Sequence, residues 1–287
     1  MKVVFMEARL SDKPLLPPSL EAASWQQIKE ISDAGLASSA FKVGDMKKII
    51  LNGTVGTVEF SNFETYVYII GIDHNKEIEG TGITFGCFKD KDGVDIALID
   101  SIYGSSKTDG TKYFNMNHSS NDNVGGWKGC DLRYDVLGST NINNGDATAT
   151  TATSPIANTL MAALPSDLRA VMQPMTIYTD NTGGGSDNAS YVTKTTDYLP
   201  LLAEYEIFGT RNGANSAEQN YQMQYDYYTV ENSKVKHKYN ATSSIVWWWE
   251  RSPYSRNSGY FCAVYATGTA DSNLARYSRG LSPIFRV

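Results

Sequence analysis

The first clear period in the chain begins at Ser24. Trp25, Ile28 and Ile31 recur at helical spacing with polar residues between them, so one apolar stripe faces a core. Ser24 and Gln27 form a Ser-x-x-Gln capping pattern, and Gly35 suits the left-handed stop of a helix begun at Trp25. Upstream, residues 1–18 read as an extended lead-in, Pro-rich over 13–18. Residues 48–51 read as a strand that turns at Asn52-Gly53, a pair that tolerates positive φ. Residues 65–72 are β-branched and aromatic throughout and predict a strand ending at Asp73-His74-Asn75; residues 83–88 predict another. The run Asp90-Lys91-Asp92-Gly93-Val94-Asp95 reads as a solvated turn, since its glycine is misplaced for a calcium loop and no glutamate closes it.

The middle of the chain alternates loops with short periodic segments. An amide-rich loop over 117–127 leads to a short helix near 131–136, and the Thr/Asn/Gly stretch 138–153 reads as a polar surface excursion. Ser154-Pro155 marks a helix start, with Ile156, Leu160 and Leu164 on its buried face. Pro165 stops that helix, Ser166 recaps, and Leu168, Val171 and Met172 continue the apolar pattern. Gly183-Gly184-Gly185 reads as a flexible polar loop without the spacing of a phosphate cradle. Residues 198–209 form the next apolar element; as a strand it would point Glu204 and Glu206 the same way. A tyrosine-rich segment follows over 221–228.

The strongest signal lies near the C-terminus. Trp247, Trp248 and Trp249, consecutive in a strand, must face both sides of a sheet, which predicts a core anchor. Glu250-Arg251 reads as an ion pair or a hydrogen-bonded arginine locking the strand end. After Pro253 the chain is rich in Tyr, Ser, Asn, Thr and Gly, with Arg as the dominant charge and no Lys, a composition like that of an antibody paratope. Strand alternation over 259–265 would turn Cys262 and Val264 inward and Ala263 and Tyr265 outward.

Charge and composition narrow the function. A net charge of −6 argues against nonspecific nucleic-acid binding and against a surface that hugs anionic lipid. Cys87, Cys130 and Cys262 are odd in number and lack C-x-x-C spacing, which predicts buried free thiols rather than disulfides or a zinc site. His74, His118 and His237 show no metal-binding spacing and read as hydrogen-bonded structural residues; no catalytic set and no cofactor motif emerge. The first ten residues lack the apolar run of a secretory signal and no stretch is long enough for a membrane span. A soluble protein made without Sec export is the resulting expectation, with no membrane insertion. No composition break divides residues 19–287, and short strands set among a few helices predict one α+β domain.

Trp248-Trp249-Glu250-Arg251-Ser252-Pro253, then Phe261-Cys262-x-Val264, then Gly280-Leu281-Ser282-Pro283-x-Phe285-Arg286-Val287 resemble the C-type-lectin-fold proteins of gut bacteria and their phages. Several of those are variable proteins of diversity-generating retroelements. Trp25-x-x-Ile28-x-x-Ile31, Val43-Gly44-Asp45, Ile70-Gly71-Ile72-Asp73-His74, Asn123-Val124-Gly125-Gly126-Trp127 and Ala163-Leu164-Pro165-Ser166-Asp167-Leu168 extend the likeness upstream. The resemblance implies a C-type-lectin-like fold of the formylglycine-generating-enzyme branch, with small twisted antiparallel sheets, a few helices and long loops. It also implies a variable ligand-binding segment over about 250–287, rewritten at adenines by an error-prone reverse transcriptase.

Carried over residue by residue, the diversified positions are Tyr254, Arg256, Asn257, Tyr260, Ala263, Tyr265, Thr267, Asp271, Asn273, Arg276, Tyr277 and Arg279. Trp248, Trp249, Arg251, Phe261, Gly280 and Phe285 would be fixed scaffold. The function implied is a non-enzymatic binder on a phage tail or prophage-encoded particle that grips a host cell-surface protein or glycan, alongside other virion or tail proteins. Self-association into a homo-oligomer is compatible with it, and no metal is needed. The alternatives are a purely structural virion protein and an oxidase of the formylglycine-generating type. That oxidase family relies on a cysteine pair near the chain's end, where this sequence has Cys262 alone. The Glu-Pro-Asn and Gln-Pro-Asp tripeptides of calcium-dependent lectins do not occur.

Overall fold

The computed structural model describes residues 14–140, 145–230 and 232–287. The lead-in expected over 1–18 therefore lies mostly outside the described residues, as do residues 141–144 of the expected polar excursion. In chain order the strands are β1 (Met46–Val55), β2 (Val58–Ile72), β3 (Ile83–Lys89), β4 (Ile96–Ala97), β5 (Met175–Asp180), β6 (Val192–Asp197), β7 (Lys236–Lys238), β8 (Ala241–Val246), β9 (Trp248–Pro253), β10 (Tyr260–Val264), β11 (Ala270–Leu274) and β12 (Ile284–Arg286). They form four sheets, ordered β1-β2-β3-β12, β9-β10-β11, β4-β7-β8 and β5-β6, with every strand pair antiparallel except β4–β7. The architecture is mixed α+β. No helix among the described residues is long and apolar enough to cross a membrane.

Helix α1 (Trp25–Asp33) begins as its local sequence directs. The Ser24 hydroxyl accepts from Gln27 N at 3.1 Å, the Gln27 side chain accepts from Ser24 N at 2.9 Å, and Gly35 follows the last turn at φ +67°. The apolar stripe descends onto the four-stranded sheet, where the Trp25 ring meets Phe85 at 5.5 Å and Phe285 at 6.1 Å between centroids. Phe285 in turn stacks on Phe85 at 5.1 Å, its cross-strand partner in the β12–β3 pair. Every residue of β3 is buried, because β2 and β12 close both of its edges and its faces are covered.

Several local expectations change. The β1–β2 hairpin turns at Gly56-Thr57, and Asn52-Gly53 instead makes a bulge, where the register jumps between Leu51 and Gly53. Positive φ serves a bulge as readily as a turn: Gly53 lies at +114°, and Asn52 Oδ1 accepts from the N–H of Asn62, itself at +49°. Ser154-Pro155 starts no helix. A short helix, Ala149–Thr153, ends there, and the next, Leu160–Ala163, is capped by Thr159 because Asn158 at φ +62° interrupts the chain; Ile156 is left exposed. The stretch 138–153 is only partly a surface excursion, since Ser139 and Thr140 are fully buried and the Ser139 hydroxyl donates to Asp197 at 2.9 Å. Residues 204–208 form a helix, Glu204–Phe208, so Glu204 and Glu206 diverge instead of aligning. Glu206 folds back to accept from Ala203 N at 2.9 Å, a cap that favours the helix over a strand.

The tryptophan run divides. Trp248 and Trp249 have no exposure, whereas Trp247 falls between β8 and β9 and is half-buried against Tyr265. Three buried arginines fasten the layers: Arg133 to Asp197, Arg286 to Glu79, and Arg251 to Glu206, the last at 2.6 Å from Nη1. Each joins segments far apart in sequence, and each guanidinium is paired in the two-pronged geometry or with added backbone acceptors that a buried arginine requires.

Candidate ligand-binding surface

Strand β10 runs between β9 and β11, so the residues after Pro253 rise from a three-stranded sheet whose other edge is the tryptophan strand. Arg256, Asn257, Tyr265 and Thr267 are exposed. Tyr254, Tyr260, Asp271, Asn273, Arg276 and Tyr277 are half-buried with their outer parts at the surface. Tyr254 and Tyr260 lie 6.2 Å apart, and Tyr265 meets the Trp247 ring edge-on at 4.4 Å, so two pairs of aromatic side chains stand braced against a neighbour.

Two of the residues expected on this surface lie inside it. Ala263 has no exposure, and Phe261, Cys262, Ala263 and Val264 are all buried instead of alternating. Ala263 is registered between Trp249 and Asp271 and belongs to the main core, because both faces of this central strand are covered. Arg279 is 8% exposed and lies 5.0 Å from the Tyr277 ring, 5.2 Å from Trp247 and 5.9 Å from Tyr103. Burial lowers its pKa from the usual guanidinium value, and it acts as a cationic spacer that holds three rings apart. Trp248, Trp249, Arg251, Phe261, Gly280 and Phe285 are buried. Gly280 is needed for space: a Cβ there would stand 2.8 Å from the Ala97 methyl.

The backbone of this segment is held from outside. Asn123, 1% exposed, donates from Nδ2 to the carbonyls of Tyr260 at 2.7 Å, Asn257 at 3.2 Å and Tyr254 at 3.3 Å. Its own N–H donates to Ser258 O at 2.6 Å, and its Oδ1 accepts from Gly184 N at 2.8 Å. Asn115 reaches the Arg276 carbonyl, Met116 N donates to Ala275 O, and Asp100 accepts from the Ser278 hydroxyl at 2.6 Å. The three glycines 183–185 are fitted rather than loose. All lie at positive φ, and a Cβ on Gly185 would fall 2.6 Å from Ser258 N. None of these contacts uses the side chain of an expected variable position.

The part Asn123 plays is illegible in the sequence beyond an amide-rich loop; one amide satisfying three carbonyls 131 to 137 residues away is set by the fold. The histidines are hydrogen-bonded in two cases. His74 Nε2 lies 3.1 Å from Met223 O with its ring stacked on Tyr225, and His118 Nε2 lies 3.1 Å from Tyr113 O. His237 Nδ1 meets no partner among the described residues. All three cysteines are buried free thiols, and burial pushes the Cys130 thiol up to about 12 and that of Cys262 well above its ordinary value.

These features define the class: a mixed α+β protein whose tyrosine-rich C-terminal sheet is held at its backbone by loops from the middle of the chain. Within that class, residues 100–287 match the model of a family described as a domain of unknown function, DUF6273, and the chain belongs to that family. No curated protein and no solved structure matches the chain. The matched region takes in the whole surface together with Asp100, Asn115 and Asn123, which hold it.

Proposed function

We propose that this protein is a ligand-binding protein of C-type-lectin-like fold, of the formylglycine-generating-enzyme branch, whose C-terminal surface is diversified by a retroelement. It would be displayed on a phage tail or prophage-encoded particle and grip a host cell-surface protein or glycan. One observation carries this reading: the segment 254–279 is anchored through its backbone by Asn123, Asn115 and their neighbours, so its outward side chains can be exchanged without loosening the fold. Rigid aromatic rings and adaptable Asn, Ser and Arg groups on such a base suit contact without a metal or cofactor. On exposure, the proposed variable set is Tyr254, Arg256, Asn257, Tyr260, Tyr265, Thr267, Asp271, Asn273, Arg276 and Tyr277, and the buried Ala263 and Arg279 are assigned to the support.

Thiol oxidation suits Cys262 poorly, since the sulfur has no exposure and its thiolate is disfavoured by burial. The test is a triple variant, Tyr260→Ala with Tyr265→Ala and Tyr277→Ala, assayed for adsorption to gut bacterial cells. Loss of adsorption with near-unchanged thermal stability supports the reading, and retained adsorption rejects it. Sequencing the gene's 3′ end across a natural population gives an independent arm, because even variation over buried and exposed codons would also reject it.

A further inference from the structure

Glu204, Glu250 and Cys262 come from three distant stretches of chain, yet a carboxyl oxygen of each glutamate and the cysteine Sγ all lie within 4.8 Å of one another. All three residues have no solvent exposure. Glu204 is held in place by the turn that follows its helix: its carboxylate accepts from the N–H groups of Asn212, Gly213 and Ala214, each at 2.9 Å. Glu250 is the opposite case. Neither of its carboxyl oxygens meets a hydrogen-bond donor among the described residues, although both are wholly buried and one of them lies in this cluster. A buried carboxyl without a partner is strongly disfavoured unless something neutralises it.

The surroundings are short of positive charge. Glu206 and Glu218 also bear on Glu250, and the nearby cations are engaged elsewhere: Arg251 with Glu206, and Arg211 with Asp187 at 2.7 Å. Glu218 is satisfied by hydrogen bonds from Asp180 N, Ser252 and Gln222, which leaves Glu250 as the group without a counterpart. We propose that Glu204, Glu250 and Cys262 bind one divalent cation of the zinc class, through one carboxylate oxygen from each glutamate and the Cys262 sulfur. A thiolate in the set selects a borderline cation such as Zn2+, Co2+ or Cd2+ over Mg2+ or Ca2+, while two carboxylates remain compatible with it. Ligands at about 2.0–2.3 Å from a tetrahedral ion stand roughly 3.3–3.8 Å from each other, so the observed spacing closes with a movement of about 1 Å.

The site lies one layer beneath the candidate binding surface. Cys262 packs with Tyr205, Ala214 and the half-buried Tyr254, and Gly213 separates ring from sulfur so closely that a Cβ there would fall 2.4 Å from the Tyr254 ring and 3.4 Å from Sγ. An ion at this point would tie the helix Glu204–Phe208, strand β9 and strand β10 together directly under Tyr254, independently of any ligand the surface binds.

Because the site is closed, the full-length protein is refolded from denaturant with CdCl2 or CoCl2, desalted, and measured for metal content and for sulfur-to-metal charge-transfer absorption. The expected result is one ion per chain, with a thiolate band that disappears in Cys262→Ser and persists in Cys130→Ser. Glu250→Gln, nearly isosteric and neutral, is expected to fold and to lose at least tenfold in ion affinity. Absence of a stoichiometric ion in the refolded wild-type protein overturns the proposal and identifies Glu250 as a buried neutral acid. An ion whose band survives Cys262→Ser overturns it equally.

Discussion

The side-chain amide of Asn123 donates to the main-chain carbonyl of Tyr260 at 2.7 Å, across 137 positions of sequence. That single contact, repeated by the same amide at Asn257 and Tyr254, ties the turn before β10 to the loop before Trp127. Replacing Asn123 by Ala leaves the Gly184 N–H without its partner and leaves three partly buried carbonyls with their main-chain donors alone. The expected loss is about 2 kcal/mol in urea denaturation. Asn123→Asp should cost nearly as much, since a carboxylate accepts but cannot donate to carbonyls; a fully stable Asp variant would contradict the geometry.

The buried pair Arg251–Glu206 yields a second test. Arg251→Met strands Glu206 in the core and should destabilise by about 3–5 kcal/mol. The double variant Arg251→Met with Glu206→Leu should recover most of that loss, apart from about 1 kcal/mol for the missing cap on Ala203. Chemical denaturation of the two variants and the wild type decides it.

Position 263 should tolerate only small residues. Ala263→Tyr inserts a ring into a filled core and should cost about 3 kcal/mol, whereas Thr267→Tyr, a few residues along on the exposed side, should stay within about 0.5 kcal/mol of the parent. Equal thermal stability of the two variants would place the methyl of Ala263 at the surface after all.

Glu218 makes stability depend on pH. Burial raises its carboxyl from 4.5 to about 7, so between those values the folded chain holds more protons than the unfolded chain. Stability therefore falls as pH rises through this window, and the loss is fully present above about pH 7. Glu218→Gln should flatten this slope, and denaturation curves of both proteins at pH 4.5, 6 and 7.5 measure it.

The sequence discloses α1, β3 and the buried Trp248-Trp249 pair because their signals are local: a capping box, an apolar period, a run of large rings. It misplaces the β1–β2 turn because Asn-Gly is equally at home in a bulge, and the helix at 204–208 because a short apolar run has no decisive period. Ala263 misleads for a different reason. Alternation assumes that one face of a strand meets water, and β10 has both faces covered. The convergence of Glu204, Glu250 and Cys262 leaves no trace in spacing, since only the tertiary fold brings their side chains within 4.8 Å.

The pairing of β12 with β3 has a consequence for how changes in the gene are filtered. Any frameshift or stop codon introduced between 254 and 279 removes β12, leaving the edge of β3 bare and the rings of Trp25 and Phe85 without their neighbour Phe285. Such a product exposes a sticky strand and apolar rings that cellular proteases and chaperones recognise. Surface substitutions leave this closing strand in place and truncations remove it, so under the proposed diversification it would act as a checksum on each rewritten copy.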